Sequence, residues 1–189
     1  MKMKRYTVND IIEIELDPSI NKEDIIVLFG GSESLSLVEI ADLPLSVLDK
    51  IDWITQLLPR KVAIEFTCDV VEHVTWIFEK ENPGDDLINQ TISAYRRYAD
   101  KVNRNPKTWK QIWGFYRNAV KSRLIKDRIE GAASQLVARS ITWNWAMDTC
   151  IDASNAVSLA TSLEVARSNE AKEAEKAWQL NKLKEYIIR

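Results

Sequence analysis

The last 58 residues, Ala132 to Arg189, hold eleven alanines and neither a glycine nor a proline; the five glycines and five prolines of the chain all precede them. Relative to alanine, glycine costs a helix interior about 1 kcal/mol and proline about 3 kcal/mol. A stretch that avoids both and is filled with helix formers is predicted to be helical. It reads as one long helix, or as two joined by a tight polar turn near Ser168 and Asn169.

The earlier segments read the same way. Val62, Phe66, Val70, Val74 and Ile77 recur at steps of three or four, which predicts a helix from Pro59 to Lys80, and Leu45 to Leu58 repeats the pattern. The run Asn82-Pro83-Gly84-Asp85 stops one helix and offers an aspartate to cap the next, predicted over residues 85–102. Asn105-Pro106 then opens an amphipathic helix from Thr108 to about Arg128, with Trp109, Ile112, Trp113, Tyr116, Val120 and Leu124 on its apolar face. Nearer the start, Ile11, Ile12, Ile14 and Leu16 read as a short strand, and Lys22 to Phe29 as a helix closed by Gly30-Gly31. The expected fold is all-α, a bundle of about six or seven helices (residues 41–189) with a small, less regular N-terminal segment (residues 1–40) packed on it.

Composition narrows the classes further. With 189 residues and 46% apolar content the chain can bury a full core. Its two cysteines, Cys68 and Cys150, have no metal-ligand spacing and fall on apolar helix faces, so both are expected to be reduced core residues of a cytoplasmic protein. After the basic start, Asp10, Glu13, Glu15 and Asp17 interrupt any long apolar run, which excludes an export signal or a membrane span there. Seven tryptophans exceed the needs of an ordinary core of this size, and a homodimer is expected from them.

Charge is the strongest functional clue. Between Arg96 and Arg128 eleven Lys or Arg face only Asp100 and Asp127, a local excess of nine positive charges in a chain whose net charge is −2. Residues 1–95 carry eighteen acids against eight bases. A basic segment on an acidic body suits one anionic partner better than indiscriminate polyanion binding, so nucleic acid is not the favoured ligand. On a helical wheel Lys107, Lys110, Gly114, Arg117, Lys121 and Arg128 fall within roughly an 80° sector, and Gly114 leaves a notch where a ligand can approach closely. Arg96 and Arg97 would add charge from the preceding helix, with Tyr95 and Tyr98 beside them for stacking. The competing reading is that the basic row pairs with the protein's own acids.

Two further constellations have competing readings. Ser140, Asn144, Asp148, Asn155 and Ser158 form a polar strip on an otherwise apolar helix. It either lines a ligand groove, with Asp148 and Asn144 as orienting groups, or is simply that helix's one solvent-facing side. His73, the only histidine, follows Asp69 by four residues and is expected to pair with it rather than to bind a metal. Cys68 next to Phe66 reads as an inert thiol. Gly30-Gly31-Ser32 lacks the lysine and spacing of a phosphate loop. No cofactor, metal or catalytic constellation is expected.

The stretch from Ala63 to Asp86, with its Phe-Glu and Pro-Gly-Asp-Asp runs, followed by Thr91-Ile92 and Tyr95-Arg96-Arg97-Tyr98-Ala99, resembles a family of small helical immunity-like proteins. That family continues from the two aspartates into Arg-Pro-Arg and a histidine-rich helical region, whereas this chain has Leu87-Ile88-Asn89 and lacks the histidines. The stretch Glu175 to Tyr186 and the segment Leu45 to Leu58 are similar to helical proteins encoded by bacteriophages. Together these likenesses cover about residues 40–189. They imply a non-enzymatic protein that neutralises a toxin or a bacterial defence component, or a counter-defence protein that sequesters a small signalling nucleotide. The binding residues expected on this reading are Arg96, Arg97, Tyr98, Lys110, Trp113, Gly114, Arg117, Lys121 and Asp148.

Overall fold

The computed structural model describes residues 4–14, 22–102, 146–161 and 165–188. They form an all-α protein of eight helices with one small two-stranded sheet. In chain order these are β1 (Arg5–Thr7), α1 (Val8–Ile14), α2 (Lys22–Leu28), β2 (Ser34–Ser36), α3 (Leu37–Ala41), α4 (Val47–Leu57), α5 (Arg60–Glu81), α6 (Leu87–Val102), α7 (Ala146–Ala160) and α8 (Val165–Ile188). The helix expected from Thr108 to Arg128 lies outside the described residues.

The N-terminal segment corrects the sequence reading. Val8–Ile14 is a helix, not a strand. Thr7 and Asp10 cap it reciprocally: the Thr7 amide donates to Asp10 Oδ2 at 2.6 Å and the Asp10 amide to Thr7 Oγ1 at 3.3 Å, a local signal that outweighs the run of isoleucines. Ile11 is therefore fully buried while Ile12 is exposed. The true strands flank this helix and the next, with Tyr6 opposite Leu35 in antiparallel register. β2 runs straight into α3, because Ser36 caps that helix in a full capping box with Glu39. The expected helix over Lys22 to Phe29 is present, and Gly30 and Gly31 follow it with φ of 58° and 82°, left-handed values that suit glycine.

The longer helices bury the faces their periodicity assigns. Phe66, Val70, Val71 and Val74 of α5 are fully buried, and Ile51, Trp53 and Ile54 make α4 a core helix. Gly84 turns the chain at φ 80°, and Asp85 accepts from the Leu87 amide at 3.0 Å to start α6. α5 packs on α6 and α7; α8 packs on α7, α5, α4 and α3. Tyr6, Ile11, Ile25 and Phe29 belong to the same buried cluster as Trp53 and Phe66, and the Tyr6 hydroxyl donates to the Leu57 carbonyl at 3.1 Å.

The C-terminal helices are interrupted earlier than the sequence suggests. α7 closes at Ala160, and α8 runs unbroken through Ser168 and Asn169. Ser168 instead ties the two helices together, its hydroxyl 2.6 Å from that of Ser158 and 3.0 Å from the Ser158 carbonyl. Among the described residues no helix is long and apolar enough to cross a membrane.

The adjacent pair on α2 tests this placement. Ile25 is 1% exposed and Ile26 is 47% exposed. Ile25→Ala is expected to cost about 2–5 kcal/mol in urea unfolding, and Ile26→Ala to stay within about 0.5 kcal/mol of the parent. Equal losses would refute the helical face assigned to α2.

Candidate functional site

One ridge of α5 gathers polar partners from two other helices. Asp69, Glu72, His73 and Trp76 fall at i, i+3, i+4 and i+7, so they share one face of the helix. Arg96 of α6 reaches this ridge from one side. On α8 the residues Glu175, Gln179, Lys182 and Tyr186, spaced four, three and four apart, form one polar stripe that approaches it from the other.

Asp69 is the centre of the first cluster. Arg96 donates to its Oδ1 at 2.6 Å, the Tyr186 hydroxyl donates to its Oδ2 at 2.7 Å, and Lys182 Nζ lies 3.4 Å from Oδ2. Arg96 also grips Glu72 with two nitrogens, at 3.2 and 2.7 Å. This fork geometry, shared over two carboxylates, holds Arg96 charged, the Glu72 hydrogen bonds contributing most. Lys182 is likewise raised above its ordinary range, first by Glu185 and then by Asp69. The Tyr186 ring meets Phe66 edge-on with centroids 6.2 Å apart, so its hydroxyl is aimed by apolar packing behind it.

The second cluster is drier. His73 Nε2 lies 3.2 Å from Glu175 Oε2, and the imidazole stacks on Trp178 with ring centres 3.6 Å apart. The histidine therefore pairs with Glu175, not with Asp69 as its spacing suggests, because Asp69 is already taken by Arg96, Tyr186 and Lys182. Glu175 is 5% exposed and Gln179 is fully buried. Gln179 Nε2 is 3.1 Å from Glu175 Oε1, 3.2 Å from Ser154 Oγ and 3.2 Å from the Cys150 carbonyl, so two amide protons serve three acceptors. Contact between an imidazolium and a carboxylate favours both charges, while withdrawal from water favours both neutral forms. Burial prevails: it pushes the Glu175 carboxyl up to about 7, and it holds His73 below its usual range.

The expected binding residues divide accordingly. Arg96 sits in the first cluster, committed to the protein's own acids. Arg97 follows it on α6 and is exposed. Tyr98 lies on the same helix, and Asp148 sits half-buried in the first turn of α7. Lys110, Trp113, Gly114, Arg117 and Lys121 lie outside the described residues, as do Ser140 and Asn144 of the polar strip. Its remaining members, Asp148, Asn155 and Ser158, are half-buried on a helix whose Thr149, Cys150, Ala153, Ser154 and Ala156 are fully buried. Sequence reading passed over Glu175, Trp178, Gln179, Lys182 and Tyr186. The signal for four of them was their helical spacing on a single face.

Burial pushes the Cys68 thiol up to about 12 and the Cys150 thiol well above its ordinary value, so both stay protonated and unreactive. Among the described residues no group of three or more His, Cys, Asp and Glu is placed to hold a metal ion.

The Asp69 cluster makes a measurable prediction. Tyr186→Phe removes one hydroxyl donor and is expected to cost about 1 kcal/mol, and Asp69→Asn is expected to cost more, since it leaves Arg96 and Lys182 without that charge. A double-mutant cycle between them in urea unfolding is expected to show coupling of about 0.5–1.5 kcal/mol. Strict additivity would mean that the hydrogen bond makes no net contribution. No family model, no curated protein and no solved structure matches this chain, so what these residues do rests on their own geometry.

Proposed function

We propose that this chain is a non-enzymatic binding protein that neutralises a toxin or a bacterial defence component, contacting an anionic surface of that partner through residues 95–128. The observation that carries this reading is the excess of nine positive charges between Arg96 and Arg128 in a chain of net charge −2. A segment so imbalanced attracts an acidic surface over distances of about a Debye length, roughly 8–10 Å at moderate salt. It also steers association.

The geometry at the start of the segment refines the assignment. Arg96 forms three hydrogen bonds with carboxylates of α5, so it acts as the anchor of α6 rather than as a contact for the partner. The likeness of Ala63–Asp86 to immunity-like proteins supports the same class, since that stretch is α5, the anchor of the basic segment, and its exit turn. A binding role is also favoured over catalysis by the state of the groups present: two neutral thiols, and one histidine engaged by both a carboxyl and an indole.

The test uses the full chain and Arg117→Glu/Lys121→Glu as bait in bacterial lysate, with association measured across salt concentrations. The parent is expected to capture a stoichiometric acidic protein whose association slows at least tenfold between 50 and 500 mM salt, roughly as steering predicts. The double variant is expected to fold equally well and to capture none. Equal capture by both proteins would remove the basic segment from the interface. A melting-temperature rise with one mono-, di- or cyclic nucleotide, seen in the parent alone, would identify the anion as a signalling nucleotide instead.

A further inference from the structure

We propose that His73 and Glu175 form a proton-operated latch between α5 and α8, in which the buried carboxyl holds its proton while α8 is docked and loses it as the helix loosens. Glu175 is 5% exposed, inside the contact of three helices, and among the described residues the one cationic group within ion-pair distance of it is a histidine.

One proton decides the charge of this pair. With it present, the pair is neutral overall, whether as imidazole and carboxylic acid or as imidazolium and carboxylate. With it gone, His73 Nε2–H and the Gln179 amide still donate to the carboxylate, but a net negative charge remains buried with no cation to match it, and burial outweighs the Gln179 hydrogen bond.

The surrounding groups do not supply a substitute. From α7 the facing ionisable group is the Cys150 thiol, itself kept neutral by burial, with Ser154 beside it. Asp148 and Asp152 stand two residues either side of Cys150, about 200° round the helix and on its far side. From α5, Asp69 and Glu72 are acids and are matched by Arg96, with Lys182 also on Asp69. On α8, Lys172 stands three residues before Glu175 without reaching ion-pair distance, Lys176 pairs with Glu173, Lys182 with Asp69 and Glu185, and Lys184 with Asp42 at the end of α3.

The direction of the effect follows from linkage. Glu175 titrates at about 7 in the folded protein against an ordinary 4.5, so docking of α8 is favoured at low pH, and that advantage is lost between about pH 4.5 and 7. His73 is shifted the other way, below 6.5, so its contribution is complete above pH 6.5 and is lost on the acid side. The two oppose each other between the shifted histidine value and 6.5, and removing the carboxyl alone separates them.

The experiment is hydrogen exchange of α8 amides in the full chain and in Glu175→Gln, an isostere of the protonated side chain, from pH 5 to 8.5, with α4 as internal control. The ratio of α8 opening constants, parent over variant, is expected to climb by up to tenfold per pH unit, on the order of a hundredfold in all, and to level off above about pH 7. A ratio that stays constant, or that rises equally in α4, overturns the latch. A second readout needs no variant. His73 is the only histidine, so its imidazole resonances are unambiguous, and a second inflection near pH 7 is expected from the carboxyl 3.2 Å away. A single inflection would overturn the proposal even if Glu175→Gln failed to fold.

Discussion

The close approach of α5 and α8 to α7 is the constraint on which the rest of this structure depends. α7 presents Cys150, Ala153, Ser154 and Ala156, all fully buried and all small, so its neighbours come near its backbone. Backbone that is approached closely by side chains must have its polar groups satisfied. The Cys150 carbonyl shows how this is met, accepting from Ser154 Oγ at 2.8 Å and from Gln179 Nε2 at 3.2 Å. Gln179 is thereby drawn fully inside, and Glu175, one turn before it on α8, is drawn in with it. The polar core is a consequence of small residues on α7, not an independent feature.

That origin explains why the fold was more legible than the site. Periodicity in a single helix is a local signal, and it located α4, α5 and α6 through residues such as Phe66, Val70 and Val74. Capping is local too: the Thr7–Asp10 exchange sets a helix where the run of isoleucines alone reads as a strand. The extent of α8 departs from its local sequence signal for a different reason. Ser168 and Asn169 have turn propensity, but Ser168 spends its hydroxyl on Ser158 across the helix pair, and tertiary contact overrides the local preference.

The site needed pairings between residues far apart in sequence. His73 has an aspartate four residues before it and a glutamate one residue before it, and it uses neither; its partner is 102 positions away. Asp69 was unavailable only because Arg96 and Tyr186 had claimed both its oxygens, a competition visible once three helices are assembled. What the sequence does carry is the helical spacing of Glu175, Gln179, Lys182 and Tyr186. A polar stripe that is regular on one face and ends in a tyrosine suits a partner helix with its own polar ridge, and α5 supplies that ridge.

The two clusters differ in how they respond to water, and this separates their roles. Asp69 and Glu72 face a guanidinium that stays charged at any physiological pH, so that clamp is permanent, and its strength varies mainly with salt. Glu175 faces an imidazole, whose charge is not fixed, in a setting too dry to stabilise an isolated anion. The lower half of the α5–α8 contact, toward Tyr186, is therefore held independently of pH, while the half around Glu175 depends on a proton. Arg96 belongs to the permanent half and begins the basic segment. An anion that took Arg96 would leave Glu72 without its guanidinium and Asp69 with only Lys182 and the Tyr186 hydroxyl. Arg96 is therefore held by the fold itself, as the lock between α6 and α5.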